Sequence, residues 1–370
     1  MDLHDPDWSA ARGNIAVIPV TNPQAPLSAL VGTWFDAPAW GPVNNPQLGA
    51  MLAAMLLPAA REHGVAAVVF AWQELPREVI TGQYMPFTLP PQNIPAVFVD
   101  GEATATLLAG QGARIRLRLN ITRDAEASTR TVWTMIEGTE APEETIILIT
   151  HTDGVNCLEE NGHIAMLELA QRIAKHPCRR TIVFGFVTGH LRIPAVTAHG
   201  QASSRWLEEH PELWDGAPGH RSAVAGLGLE HFGARAVPAD GTWATAPLEP
   251  ELLYASTEEL AKLALQQWDF GTRPQRVSRP LSSLHFGEAE PMFQRGVPTV
   301  ALVTAPDYLL AEREDDYVDI AAMEDQIESF HRILRLLDTM PRDHIGVVEV
   351  SAAPSGLDTL QSALNALGGA

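Results

Sequence analysis

Between Ile146 and Gly162 the chain reads IILITHTDGVNCLEENG. Four apolar residues run unbroken toward His151 and Asp153, a loop rich in Asn and Glu follows, and from about His163 apolar residues recur at helical spacing. A short apolar run closed by turn residues predicts a buried strand that delivers polar groups at its carboxyl end. The pattern repeats downstream. Arg180 to Val187, RTIVFGFV, predicts a second such strand, ending at Thr188-Gly189-His190. Ala223 to Gly233, AVAGLGLEHFG, predicts a third that delivers Glu230 and His231, and Gly296 to Val303, GVPTVALV, a fourth. Helical patterns fill 162–175, 201–210, 250–267 and 318–337. Strands this apolar, alternating with helices, predict an α/β fold whose mostly parallel sheet is covered by helices on both faces.

Upstream the elements are shorter. NIAVIP at 14–19 and AAVVFA at 66–71 predict strands, with a helix over LGAMLAAMLLPAAREHG closed by Gly64 as its left-handed C-terminal residue. A proline-dense stretch over 79–95 leads to a strand in AVFVDG, a helix over 102–109 and an alternating strand at Arg114–Leu119, with arginines on one face and apolar residues on the other. TVWTMIEG, after the hinge at 122–128, predicts one more strand. The chain of 370 residues is thus divided into a unit over 1–125, an α/β unit over 126–345 and a small-residue-rich peripheral tail over 346–370.

Composition narrows the function classes. The 45 acidic against 25 basic residues give a net charge of -20, which disfavours nucleic acid as a partner. The apolar stretch Leu48–Leu57 is too short to span a bilayer, so no membrane segment is expected. The first residues lack signal-peptide regions, which fits a cytoplasmic protein or a mature or trimmed secreted one. A helix between Cys157 and Cys178 would hold their Cα atoms about 20 Å apart, beyond disulfide reach, so two free thiols are expected. No serine-hydrolase elbow, His-Glu-x-x-His helix or P-loop sequence occurs. Cys157 as a nucleophile is weighed against a buried inert thiol, and the thiol is favoured. His199, in TAHGQASS, is expected at the surface.

If the strands lie parallel, His151 and Asp153, then His190, then Glu230 and His231, meet at one sheet edge. Taken singly, each ending reads equally well as a capped loop with a hydrogen-bonded core histidine. Together they supply the ligand types that zinc prefers. His285 and Glu288, in LHFGEAEP before the fourth strand, and Tyr308 after it are expected to line a substrate pocket, with a loop cap as the other reading for the first two.

The order of elements over 14–122, with GVAAVVF and IPAVFVDGEATATLLAG, resembles a protease-associated domain, a β-rich lid or recognition insert. The run from Ile146 to Val187, then GLGLEHFG and FGEAEPMFQRGVPTVALV, is similar to the M28 family of zinc aminopeptidases. The resemblance covers most of 14–340 and implies a zinc-peptidase-like fold and a metal-dependent hydrolase acting on an amide, peptide or related bond, in a cleft beside the protease-associated-like domain. It implies His151 as a metal ligand, Asp153 as the carboxylate that orients it, Glu160 or Glu159 in place of a bridging Asp, and Glu230 as a third-strand ligand. The chain departs from the family where a Glu-Glu pair is expected, at Val187-Thr188 or Thr188-Gly189, and at the closing histidine, near Pro306-Asp307-Tyr308. His190 and His231 are then the available substitutes, with Glu159 or Glu160 as general base and zinc present as one ion in place of two. The implied partner is a peptide or small amide-like substrate, and a homo-oligomer is compatible. The alternative is an eroded, non-catalytic member of the fold that binds a peptide or protein.

Overall fold

The computed structural model describes residues 6–348, except 23–24, 30, 44–45, 74, 76–78, 80–91, 111, 123, 125, 191–201, 239–241, 282–284 and 313–316, with backbone alone at 25–26, 29, 43, 47–48 and 51–52. His199, most of the proline-dense stretch and nearly all of the tail lie outside the described residues. In chain order the strands are β1 (Ile15–Val20), β2 (Ala25–Pro26), β3 (Val31–Thr33), β4 (Pro42–Val43), β5 (Ala67–Trp72), β6 (Ala96–Val99), β7 (Val132–Ile136), β8 (Ala141–His151), β9 (Arg180–Val187), β10 (Ser222–Glu230), β11 (Leu253–Ala255), β12 (Ser278–Pro280) and β13 (Thr299–Val303). The helices are α1 (Pro46–Met55), α2 (Leu57–Glu62), α3 (Gly101–Ala109), α4 (Gly162–Lys175), α5 (Ala202–Glu209), α6 (Glu258–Gln267), α7 (Glu290–Gln294) and α8 (Ile320–Thr339).

An eight-stranded sheet runs in the order β3-β12-β11-β13-β10-β8-β9-β7. Its centre is parallel: β8 pairs with β9 and β10, and β10 with β13. The four apolar strands expected from the sequence are these four. Because side chains alternate along a strand, Ile146 and Leu148 of β8 join the core under α4, α6 and α8, while Ile147 and Ile149 join the core under α5 and α7. Burial on both faces is why these strands are apolar without alternation. The fold is the mixed α/β sheet flanked by helices that the pattern predicts.

The N-terminal region folds around its own three-stranded parallel sheet, β1-β5-β6, with a separate apolar core. It also lends the large sheet an edge strand, since β3 pairs antiparallel with β12. The helix expected over 48–64 is two helices broken at Leu56, ahead of Pro58. Gly64, at φ 75°, ends α2 as expected, with Gly64 N–H bonded to Arg61 O and Val65 N–H to Ala60 O.

Two sequence expectations change. Arg114–Leu119 forms no strand: Ile115 is 43% and Leu119 37% exposed, so the alternation has no sheet to bury its apolar face. The start of the 250–267 helix is strand β11 instead, whose three buried residues pair antiparallel with β13, and α6 begins only after Thr257, whose side chain accepts the Leu260 N–H.

Gly162 sets how closely α4 approaches the sheet. A Cβ there would meet Leu229 O at 2.0 Å and Thr150 Oγ1 at 2.1 Å. Because the first obstacle is backbone, Gly162→Ala is expected to destabilise the fold by about 3 kcal/mol, read as a lowered urea midpoint.

Two carboxyl groups couple the fold to pH. Burial raises Asp307 to about 6; burial, and then the nearby Asp307, raises Glu249 to about 7. Folded pKa values above the unfolded ones contribute stability that is fully present below about pH 4 and lost as pH rises through about 7. Glu249→Gln is therefore expected to match the wild type near pH 4 and exceed it by about 3 kcal/mol near pH 8, checked by thermal midpoints at the two values.

Candidate metal centre at the strand ends

The parallel strands β8, β9, β10 and β13 end side by side, and the chain just beyond each supplies one wall of a buried polar cluster. From β8 comes His151, whose Nδ1 lies 3.2 Å from the backbone carbonyl of Asp153. After β9, Gly189 adopts φ 95° and carries His190 back over the site. Its ring stacks on His151 at 3.7 Å between centroids. From β10 come Glu230 and His231, the latter at φ 57°, a left-handed backbone that a non-glycine residue adopts at a cost. Beyond β13, the Thr304 carbonyl lies 2.7 Å from His231 Nδ1.

Hydrogen bonds lock these endings together. Asn161, just before α4, caps no helix amide; its Oδ1 accepts the Phe232 N–H and its Nδ2 donates to Phe232 O, both at 2.9 Å. Asn156 Oδ1 accepts the Glu159 N–H, and its Nδ2 donates to the carbonyls of Leu309 and Ala311 at 2.8 Å. The loop after β8 is thereby tied both to the end of β10 and to the segment after β13.

The cluster gathers four carboxylates. Asp153 Oδ1 lies 3.0 Å from His190 Nδ1, and its Oδ2 accepts the Gly189 N–H. Glu159 Oε1 lies 3.4 Å from His190 Nε2, and its Oε2 accepts the Val155 N–H. Glu230 Oε2 lies 3.8 Å from His151 Nε2, while its Oε1 accepts the Glu288 N–H at 2.6 Å. Glu288 Oε2 accepts the Ser203 N–H at the start of α5.

Burial drives the protonation states. It holds His151 well below the usual imidazole range, assisted by His190 and His231, and pulls His231 down to about 3. Both are neutral imidazoles. With Nδ1 of His231 donating to Thr304 O, its Nε2 carries the lone pair. That nitrogen is buried and has no hydrogen-bond partner among the described residues. Burial would also lower His190, but Asp153 and Glu159 override it and raise the ring to about 10. Burial, then the charge of Glu288, pushes Glu230 up to about 8, and Glu288 is raised by burial too.

Two sets of side chains bring ligand atoms within 4.8 Å of one another: His151, Glu230 and His231, and His151, Asp153 and His190. The first fits a metal by its chemistry, with two neutral imidazoles, one carboxylate and an orphaned nitrogen aimed inward.

The structure sorts the remaining residues singled out from the sequence. Asp153 faces His151 with its backbone carbonyl, and its carboxylate goes to His190. The loop carboxylate at the cluster is Glu159; Glu160 is only half-buried and offers its backbone carbonyl to His163 Nδ1. His285 is wholly buried, stacked on Tyr254 at 4.4 Å, with its backbone N–H on Glu290. Tyr308 is a core residue whose hydroxyl donates to Arg235 O, packed with Leu158 and Leu309. Glu288, expected at the pocket wall, sits within the cluster. Neither Cys157 nor Cys178 is in a disulfide among the described residues, and burial raises Cys178 to about 11. The anchoring roles of Asn161 and Thr304 were not legible in advance, since a side-chain amide in a loop and a backbone carbonyl carry no spacing pattern.

No family model matches the chain, and no curated protein matches its sequence. Solved structures do match its fold. A zinc aminopeptidase from Bacillus subtilis superposes with a TM-score of 0.58 over 94% of this chain and 73% of its own, at 12% identity. An M28 peptidase precursor from Shewanella amazonensis gives 0.63 over 95% and 73%, at 14% identity. An aminopeptidase from Aneurinibacillus sp. strain AM-1 gives 0.52 over 95% and 76%, at 11% identity. At such identities the likeness establishes that this chain has the fold of those peptidases.

Proposed function

We propose that the chain is a metal-dependent hydrolase of an amide, peptide or related bond, with zinc held by His151, Glu230 and His231. The observation that carries this reading is the orphaned Nε2 of His231, buried among neutral imidazoles and carboxylates where only a cation or a proton donor would satisfy it. Two histidines and one carboxylate are a three-ligand set used by catalytic zinc, and the likeness to zinc aminopeptidases supports the same choice. When bound, the ion supplies Lewis acidity and lowers the pKa of a coordinated water. The chain's own residues do the rest. Thr304 O and Asp153 O fix the rings of His231 and His151 in orientation. Glu159 is held by Val155 N–H and faces His190, so it serves positioning. Glu288 is raised by burial, its backbone N–H holds Glu230 and its charge raises Glu230 in turn, which makes its carboxyl group the candidate to take and return a proton.

The N-terminal unit is proposed as the wall of this cleft, in the manner of a protease-associated domain. Val237 supports that reading, because it packs both on the N-terminal core and on the Leu158–Tyr308 cluster beside Glu159.

Purified protein equilibrated with zinc and desalted is expected to retain metal, counted by mass spectrometry, and to cleave aminoacyl or peptidyl chromogenic substrates in a chelator-sensitive way. His151→Ala and Glu230→Ala should lose both. A metal-free wild type would rule the reading out, and a metal-loaded protein with no turnover on any substrate would favour a binding role. Glu288→Gln is expected to keep its metal and lose about 100-fold or more in kcat.

A further inference from the structure

We infer that the second ligand group, His151–Asp153–His190, takes no metal because the His190 ring already fills it, so that the chain holds a single ion. The inference rests on the metal-dependent reading above and concerns how that site is closed to a second cation.

The two groups share His151, so they compete for one ring. They differ in what their remaining nitrogens face. The rings of His151 and His190 stack at 3.7 Å with 28° between their planes. Imidazole lone pairs lie in the ring plane, so two nearly parallel rings cannot both aim a nitrogen at one point between them. The His231 ring meets His151 at 64°, 5.6 Å between centroids, and its in-plane nitrogen can converge on the same point as His151 Nε2. The partners differ as well. Both nitrogens of His190 face carboxylates, Nδ1 at 3.0 Å from Asp153 and Nε2 at 3.4 Å from Glu159. His231 Nε2 has no hydrogen-bond partner among the described residues, and the carboxylate grouped with it is that of Glu230. A cation entering the second group would have to break the stack and displace the ring from both carboxylates at once.

The backbone explains why the ring sits there. Gly189 at φ 95° turns the backbone after β9, and its own N–H is held by Asp153 Oδ2, which fixes the backbone immediately before His190. His190 is thus a positioning residue: it occupies the position beside the metal, partners two acidic groups, and leaves His151 Nε2 to the other set.

The full chain, loaded with excess zinc and desalted, should carry one zinc per chain by plasma mass spectrometry, and X-ray absorption on the same sample should count two imidazoles around it. His190→Ala should take up a second, weaker equivalent, because Asp153 and Glu159 then lack their partner. Two zinc ions in the wild type, or a third imidazole on the single ion, would overturn the inference while leaving the hydrolase reading intact. Absence of zinc would instead overturn that reading. A His190→Ala chain that folds and stays at one equivalent would show that the ring does not hold the second position. If that variant does not fold, the wild-type stoichiometry and imidazole count still decide.

Discussion

The paired hydrogen bonds between the Asn161 amide and the Phe232 backbone are the constraint on which the rest of the site depends. They join the loop after β8 to the turn after β10, two segments 71 residues apart, and so fix His151 against Glu230 and His231. Each bond adds only about 1 kcal/mol net, but a buried amide left without partners costs more, so the pair acts as a register lock. Gly162, one residue on, makes the lock possible. Without a Cβ it lets α4 descend onto Leu229 until the Asn161 side chain reaches the strand end.

Four carboxylates converge on this locked frame, in a chain that already carries a net charge of -20. Backbone N–H groups hold all four: Gly189 for Asp153, Val155 for Glu159, Glu288 for Glu230 and Ser203 for Glu288. Such bonds fix position without supplying a full positive charge. Among the described residues of the cluster His190 is the cation, and it partners Asp153 and Glu159. Glu230 and Glu288 remain raised because burial outweighs the His190 charge and the hydrogen bonds that lower them. A divalent ion next to Glu230 would supply the missing charge where the neutral nitrogens of His151 and His231 already point, which is why electrostatics and ligand geometry favour the same group.

The parts of this arrangement written in the local pattern were legible in the sequence. Uninterrupted apolar runs gave the four parallel strands, and the polar residues closing three of them gave the location of the cluster. What failed depended on contacts between distant segments. The Arg114–Leu119 alternation looks like a strand, but a strand needs a neighbour, which no local pattern reports. Glu159 and Glu160 are adjacent acids in one loop, and only the fold decides which faces His190. His285 carries a metal-ligand side chain, yet its stacking on Tyr254 makes it a core residue. The Asp153 carboxylate satisfies a backbone amide, as the capping reading has it, but it faces His190, and His151 meets only the Asp153 backbone carbonyl.

Strand ends fix where side chains converge; the backbone just past each end fixes which side chain arrives. Three residues around this cluster adopt left-handed backbone: Gly189 at φ 95°, His231 at φ 57° and Gly287 at φ 89°. The first turns His190 back over His151. The third brings the Glu288 N–H to Glu230, at a point where a Cβ on residue 287 would lie 2.5 Å from Glu230 Oε1. Glycine adopts such turns without strain, but His231 does not, and its conformation persists because its ring is held by Thr304 O. A chain that lacks acidic residues at Thr188-Gly189 therefore still fills the space beyond β9, using a histidine after the turn and a glutamate from the approach to α7.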